Sequence, residues 1–372
     1  MRRLFICNTY MQLLLSIQIV RKFQVDGCSD VILSDHSINA KMVKDQLSKE
    51  ALFDHVFYVN SRQVIDRQGL KAYYRYIMFN IGSFNKTLNK MLNDTQLEEL
   101  CYDDLYGFNR DAFYYSMYFA IEKQYKRPNI NIIEEGPFSY ELMINPYISG
   151  SLKSVVTLRA IQNNDKKIWM VNHFYCFLKD FFSEKNIKNC VEVPLFKRND
   201  DELIRILTNI FDYQHVDLPR YIYFGGNPDI EEYNMIEQDY VKHIADIVGE
   251  ENLIIKKHPR DTSDAYKKMG IREYKNSFIP WEVMSLIEDF SEHVFLTMYS
   301  SSILSSAAIT GTSTKGYYLY PLIKGKIKRL DEDIVNVFKI EERVKRFHKA
   351  GLCKGIKIIN SLDELSLSLE RL

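Results

Sequence analysis

The sequence predicts an α/β protein made of two Rossmann-like domains that face each other across a cleft. Three observations carry this expectation. Short apolar runs alternate with helix-period segments along the whole chain, the pattern of parallel sheets covered by helices on both faces. At 372 residues the chain is longer than one compact core ordinarily requires. The alternation also breaks near residues 216–220, where Pro219 precedes a fresh apolar run, and then restarts. The expected domains are residues 1–215 and 216–372, the second closing with C-terminal helices.

In the first half, strands are expected over residues 3–7, 31–34, 56–59, 97–102, 131–134 and 154–158, and helices over 12–23, 70–91 and 111–125. The first element needs a check, because Arg2 and Arg3 followed by Leu4, Phe5 and Ile6 imitate the start of a signal peptide. Asn8, Thr9, Gln12, Ser16 and Gln18 interrupt any apolar continuation, and no small-residue cleavage site follows, so a strand, a loop and a helix are expected instead. In the second half, strands are expected over 221–224, 253–257, 293–296 and 315–319, and helices over 230–248, 280–287 and 301–309. Repeats and low-complexity segments are absent from the sequence.

Composition narrows the function. Forty-nine Lys and Arg balance forty-nine Asp and Glu, so the chain lacks the cationic excess that a general nucleic-acid binder uses to displace counterions. Hydrophobic residues at 46% and charged residues at 26% exclude disordered, collagen-like and coiled-coil classes. Between Lys315 and Lys357, however, twelve Lys and Arg face five Asp and Glu. That local excess suits an anionic partner such as a nucleotide, a sugar acid or a membrane surface, or else a solvated basic face. The six cysteines are widely spread without metal-ligand spacing and read as reduced thiols, pointing to the cytoplasm. No run approaches the roughly 18 apolar residues a membrane span needs.

Ligands of such sheets bind beyond the carboxyl ends of the strands. Four of these loops carry chemistry. Glu134-Glu135-Gly136-Pro137 puts two adjacent carboxylates at a strand end followed by an abrupt turn; repulsion and partial burial would raise one pKa toward that of a general base, whereas a solvated acidic turn needs neither. In Lys256-Lys257-His258-Pro259-Arg260, proline holds His258 extended, so the imidazole projects from the strand end and can serve a leaving phosphate or remain a surface group. Ser300, Ser301 and Ser302 open a helix, where hydroxyls and free N–H groups attract an anion; a plain N-cap would use one serine. Glu282, in the first turn after Pro280 and Trp281, either accepts from a ribose diol or stabilises the helix dipole.

Other patterns are weaker. Gly225-Gly226 is no dinucleotide fingerprint, Asp331-Glu332-Asp333 reads as an acidic helix start, the remaining histidines share no metal-ligand spacing, and no G-x-S-x-G elbow occurs.

Taken together, an acidic pair with glycine, a His-Pro loop and a downstream serine cluster, in this order, resemble the shared motifs of bacterial sialyltransferases. The nearest resemblance is to glycosyltransferase family 52, the lipooligosaccharide and capsule sialyltransferases. The opening Cys7-Asn8-Thr9-Tyr10-Met11-Gln12-Leu13-Leu14-Leu15 and the stretch Glu135-Gly136-Pro137-Phe138-Ser139-Tyr140 are similar to segments of that family. The resemblance runs in order from Cys7 to about Leu319.

It implies a GT-B fold and inverting, metal-independent transfer of sialic acid from CMP-sialic acid to a galactoside-type acceptor, with no cofactor. By position, Glu134 matches the base and Glu135 its partner, with the choice between the two left open because relatives often carry aspartates there. His258 matches the general acid, and Ser300, Ser301 and Ser302 the phosphate-binding serines. Glu282 matches a residue at the cytidine ribose, with Lys256 and Pro259 completing the donor loop. Thr9 and Gln12 fall on the acceptor side. The implied partners are CMP-sialic acid, a galactose-terminated glycan that can be lipid-linked, the inner face of a membrane, and a second copy of the chain; nucleic acid is not among them. Two rival readings stand beside this one. A CDP-glycerol or CDP-ribitol phosphotransferase also pairs a His-Pro loop with a Ser-Ser loop, and an inactive nucleotide-binding scaffold would keep the fold alone.

Overall fold

Alternating strands and helices form two all-parallel sheets. The structure, a computed structural model, describes residues 1–23, 26–61, 92, 97, 99–108, 112–136, 172–183, 189–226, 231–312, 314–326 and 339–371. These divide into two compact units, Met1–Pro194 with Asn209–Phe211, and Leu195–Thr208 with Asp212–Leu372.

The first unit runs β1 (Arg2–Cys7), α1 (Tyr10–Phe23), β2 (Cys28–Ser34), α2 (Ala40–Leu47), β3 (His55–Val59), β4 (Asp104–Gly107), α3 (Ala112–Gln124), β5 (Asn129–Ile133), β6 (His173–Cys176), α4 (Asp180–Ser183) and β7 (Cys190–Glu192). Its sheet has the order β3-β2-β1-β4-β5-β6-β7, with every pair parallel. Such strands are covered on both faces, which is why Leu4 to Cys7 and Ser29 to Ser34 are buried without a break. Helix α1 is likewise buried at every residue from Tyr10 to Ile19, its Gln12, Ser16 and Gln18 side chains each held by a hydrogen bond.

The second unit holds α5 (Asp201–Phe211, whose last three residues cluster with the first unit), β8 (Tyr221–Phe224), α6 (Glu231–Val248), β9 (Leu253–Lys256), α7 (Ala265–Lys268), β10 (Arg272–Glu273), α8 (Trp281–Ile287), β11 (Val294–Thr297), α9 (Ser302–Thr310), β12 (Lys315–Tyr318), α10 (Ile340–Lys349), β13 (Gly355–Ile358) and α11 (Leu362–Glu370). Its order is β10-β9-β8-β11-β12-β13, again parallel throughout. Both sheets therefore grow outward in two directions from a central pair, β1/β4 and β8/β11, the topological switch point of a Rossmann fold. Gly316 in β12 lets α9 approach closely: a Cβ there would lie 2.7 Å from Ile303 Cδ1.

The structure corrects several sequence expectations. The described residues 97 and 99–102 do not form the expected strand; the neighbour of β1 is Asp104–Gly107. Leu97, Leu100 and Tyr102 are buried, so their apolar signal is real, but Tyr102 spends its hydroxyl on Asp30 Oδ2 at 2.8 Å. Strands β6, β7, β10 and β13 were not expected, because they are two to four residues long and carry polar residues such as His173, Glu192 and Lys357. They exist because a sheet is already there to pair with. The helix expected over 70–91, the strand expected over 154–158, Pro137 to Tyr140 and Asp331 to Asp333 lie outside the described residues.

Candidate active site

In the second unit, Phe224, Lys256 and Thr297 stand in register at the carboxyl ends of three adjacent strands. The chain leaves β9 toward the His-Pro loop, β11 toward the serines and β8 toward Gly225-Gly226. Thr297 Oγ1 donates to the Phe224 carbonyl at 3.0 Å, and Gly225 N–H donates to the Lys256 carbonyl at 3.1 Å, which ties the three exits together.

His258 follows β9 and opens a tight turn over Pro259, closed by Asp261 N–H donating to its carbonyl at 2.8 Å. Its Nδ1 accepts from Arg260 N–H at 3.2 Å. That bond occupies the Nδ1 lone pair, so the proton of the neutral ring sits on Nε2, which is left as the donor. His258 lies between the end of β9 and this turn and is not part of a helix.

The serines are organised by Thr297, whose Oγ1 accepts from Ser300 N–H at 3.0 Å. The Ser300 hydroxyl donates to Ser302 Oγ at 3.1 Å and accepts from Ser302 N–H at 3.3 Å, while the Ser300 carbonyl accepts from Tyr318 O–H at 3.1 Å. Ser301 occupies the N-cap position of α9 without a side-chain cap bond. The cluster thus exceeds what capping requires, and it presents hydroxyls at the positive end of a buried helix.

Lys256 is 6% exposed and donates to the Ser277 carbonyl at 3.1 Å. Burial pushes its ammonium down to about 8, and the charge of Glu282 on α8 opposes that fall. Two residues paired by the resemblance, Lys256 and Glu282, are therefore electrostatic neighbours. Glu237 was missed by the sequence reading. It is 2% exposed on α6 and accepts from Gly226 N–H at 3.0 Å, Tyr223 O–H at 2.8 Å and Tyr266 O–H at 3.3 Å, fixing the Gly225-Gly226 exit of β8. A signal was present: Glu237 stands in the apolar stripe of Val241, Ile244 and Ala245, where a carboxylate must have a partner.

In the first unit, β5 ends at Ile133 and the acidic loop follows. Glu134 is fully buried. Its N–H donates to the Tyr175 carbonyl at 3.1 Å, and its Oε2 accepts from Phe177 N–H at 3.1 Å. Glu135 is partly exposed. Gly136 follows at φ 77°, a left-handed turn where an L side chain is strained, and a Cβ there would lie 3.7 Å from Met11 Cγ near the start of α1. Of the two carboxylates left open as base by the sequence, Glu134 is thus buried and held by Phe177 N–H, while Glu135 keeps exposed surface.

Thr9 and Gln12 form a capping box. Thr9 Oγ1 accepts from Gln12 N–H at 3.3 Å, and Gln12 Oε1 accepts from Asn8 N–H at 2.7 Å and Thr9 N–H at 3.4 Å. Their polar atoms start α1, which accounts for both residues without an acceptor. Among the described residues no group of three or more His, Cys, Asp or Glu could hold a metal ion, and no helix is long and apolar enough to cross a membrane.

Neither family models nor curated proteins match the chain. Among solved structures it is similar to an α/β-galactoside α-2,3-sialyltransferase from the luminous marine bacterium Photobacterium phosphoreum, at a TM-score of 0.51 and 12% identity, over 96% of this chain and 98% of that one. It is also similar to E. coli heptosyltransferase WaaC (TM-score 0.41, 8% identity, 86% and 88% covered) and to a protein assigned as a UDP-N-acetylglucosamine 2-epimerase from Listeria monocytogenes (0.44, 11%, 92% and 89%). At 12% identity the first likeness is one of fold, spanning nearly the full length of both chains. The architecture is the GT-B arrangement of two Rossmann-like sheets.

Proposed function

We propose that this chain is a glycosyltransferase, and specifically an inverting, metal-independent sialyltransferase that uses CMP-sialic acid and a galactoside-type acceptor of a surface glycan. The observation that carries this reading is the placement of the three motifs. Glu134-Glu135-Gly136, His258-Pro259 and Ser300-Ser301-Ser302 each follow the carboxyl end of a parallel strand, in a fold shared with a protein described as a sialyltransferase.

The chemistry follows from the substrate. The anomeric carbon of sialic acid is tertiary and carries a carboxylate, so displacement passes through a state with oxocarbenium character. The leaving CMP phosphate has a second pKa near 6, so it departs at pH 7 without needing a full proton. His258 Nε2–H supplies a hydrogen bond to it, which matches the occupied Nδ1. The Ser300 and Ser302 hydroxyls and the start of α9 take the developing negative charge. Lys256 and Glu282 hold the nucleoside. Glu135 takes the proton of the acceptor hydroxyl, and Glu134 positions it. One base and one leaving-group donor give a single displacement with inversion and no covalent intermediate.

The test is to incubate the protein with CMP-sialic acid and lactose in EDTA, following CMP release and sialyllactose by chromatography and the anomeric configuration by NMR. Sialyllactose of inverted configuration is expected. Turnover with CDP-glycerol in place of CMP-sialic acid would overturn the reading in favour of a polyol phosphotransferase, and nucleotide binding without turnover of either donor would leave a scaffold. His258→Ala is expected to lower kcat about 10²- to 10⁴-fold, measured by CMP release.

A further inference from the structure

Two cysteines far apart in sequence meet beside the acidic loop. Cys176 ends β6 and Cys190 begins β7, and their sulfurs stand 3.1 Å apart. The strands pair Phe174 with Cys190 and Cys176 with Glu192, so the two cysteines project from the same face, offset by two residues. A disulfide requires sulfurs about 2.05 Å apart, roughly 1 Å closer than they stand. Cys176 is fully buried, while Cys190 is partly exposed. The two thiols are chemically unequal. A hydrogen bond from Cys176 and the nearby Lys179 charge hold the Cys190 thiol below its ordinary value; that same bond, burial and the Glu134 charge push Cys176 far up. Cys190 is thus the more acidic and the more exposed of the two thiols, and Cys176 the buried one held protonated.

The location gives the pair a consequence. Cys176 is the residue between the two backbone groups that hold Glu134, the Tyr175 carbonyl and the Phe177 amide. We propose that Cys176 and Cys190 form a reversible, peroxide-responsive disulfide whose closure loosens the grip of residues 175–177 on Glu134. The Cys190 thiolate attacks one peroxide oxygen: an S–O bond forms, the O–O bond breaks, and hydroxide leaves to take up the proton that Cys190 released. The Cys176 thiol then attacks the sulfenic sulfur: the S–S bond forms, the S–O bond breaks, and water leaves with the Cys176 proton. Two thiols lose two electrons, and hydrogen peroxide becomes two waters. Because the cysteines are offset along the strands, closing the gap draws the start of β7 toward the end of β6. Cys176 moves relative to Glu134, and a dithiol reductant reverses the change.

The redox step stands apart from the transferase reading, whereas its effect on catalysis rests on that reading. The experiment treats the whole chain with hydrogen peroxide, alkylates the remaining thiols, and maps the peptides by mass spectrometry. A Cys176–Cys190 linked peptide, lighter by two hydrogens and lost after dithiothreitol, is expected; Cys190→Ser abolishes it, and Cys28→Ser, an exposed cysteine, leaves it intact. Hydrogen exchange at the Phe177 amide is expected to speed up at least several-fold in the oxidised form, and CMP release to slow by a similar factor. The proposal is overturned if both thiols stay alkylatable, if Cys190 oxidises without joining Cys176, or if the disulfide forms with Phe177 exchange unchanged. A linked peptide with faster exchange but no CMP-sialic acid turnover in either redox state would sustain the switch and sink the transferase reading.

Discussion

Glu134 and Glu135 show how one position in a sequence changes a side chain's surroundings. Both are equivalent on paper, yet one lies under Phe177 N–H with no exposed surface and the other is partly exposed. Glu135→Gln is expected to lower kcat about 10²- to 10⁴-fold with donor KM little changed, read by steady-state kinetics. Glu134→Ala leaves a buried amide unsatisfied and is expected to cost about 1–3 kcal/mol of stability in chemical denaturation, with a smaller fall in kcat. If Glu134→Gln, which can still accept from Phe177, abolishes turnover while Glu135→Gln does not, the roles are reversed. Lys256 yields a pH prediction. Its folded pKa of about 8 lies below the ordinary value, so between the two the unfolded chain binds more protons and stability rises with pH. Below about pH 8 the buried ammonium costs stability and, on the proposed reading, serves the donor. CMP affinity, followed by calorimetry, is therefore expected to weaken as pH rises through 8, and Lys256→Met to flatten that dependence without loss of stability at pH 7.

At the scale of elements, the sequence was read most faithfully where a pattern is local. The strand over 221–224 is found as expected, and α1, α6, α8 and α9 begin within two residues of their expected starts. The capping box of α1 was also written in the sequence as Thr-x-x-Gln, though its residues were read there as acceptor contacts. Thr9→Ala separates the two roles: loss of the cap is expected to cost about 0.5–2 kcal/mol, read as a lower Tm, with acceptor KM unchanged. A raised KM at unchanged Tm would place Thr9 at the acceptor instead. The elements that escaped reading, β6, β7, β10 and β13, have too few apolar residues to announce themselves and depend on a neighbouring strand for their hydrogen bonds.

At the scale of the molecule, the loops proposed to hold the donor all belong to the second unit, so on that reading CMP is expected to stabilise that unit directly. Saturation with CMP at about 100 times its Kd is expected to add about 2.7 kcal/mol, seen as a raised Tm, and Glu282→Ala to shrink the shift at fixed CMP. By itself the sequence determined the alternation of strands and helices, the restart after Pro219, and the placing of the acidic, His-Pro and serine motifs at strand ends, because backbone conformation follows from apolar period and turn residues within a few positions. The tertiary structure alone decided that Glu134 is buried while Glu135 keeps exposed surface, that Glu237 holds Gly226, and that Cys176 meets Cys190. Each of these depends on burial or on a partner from a distant element, and neither is encoded in the residues next door.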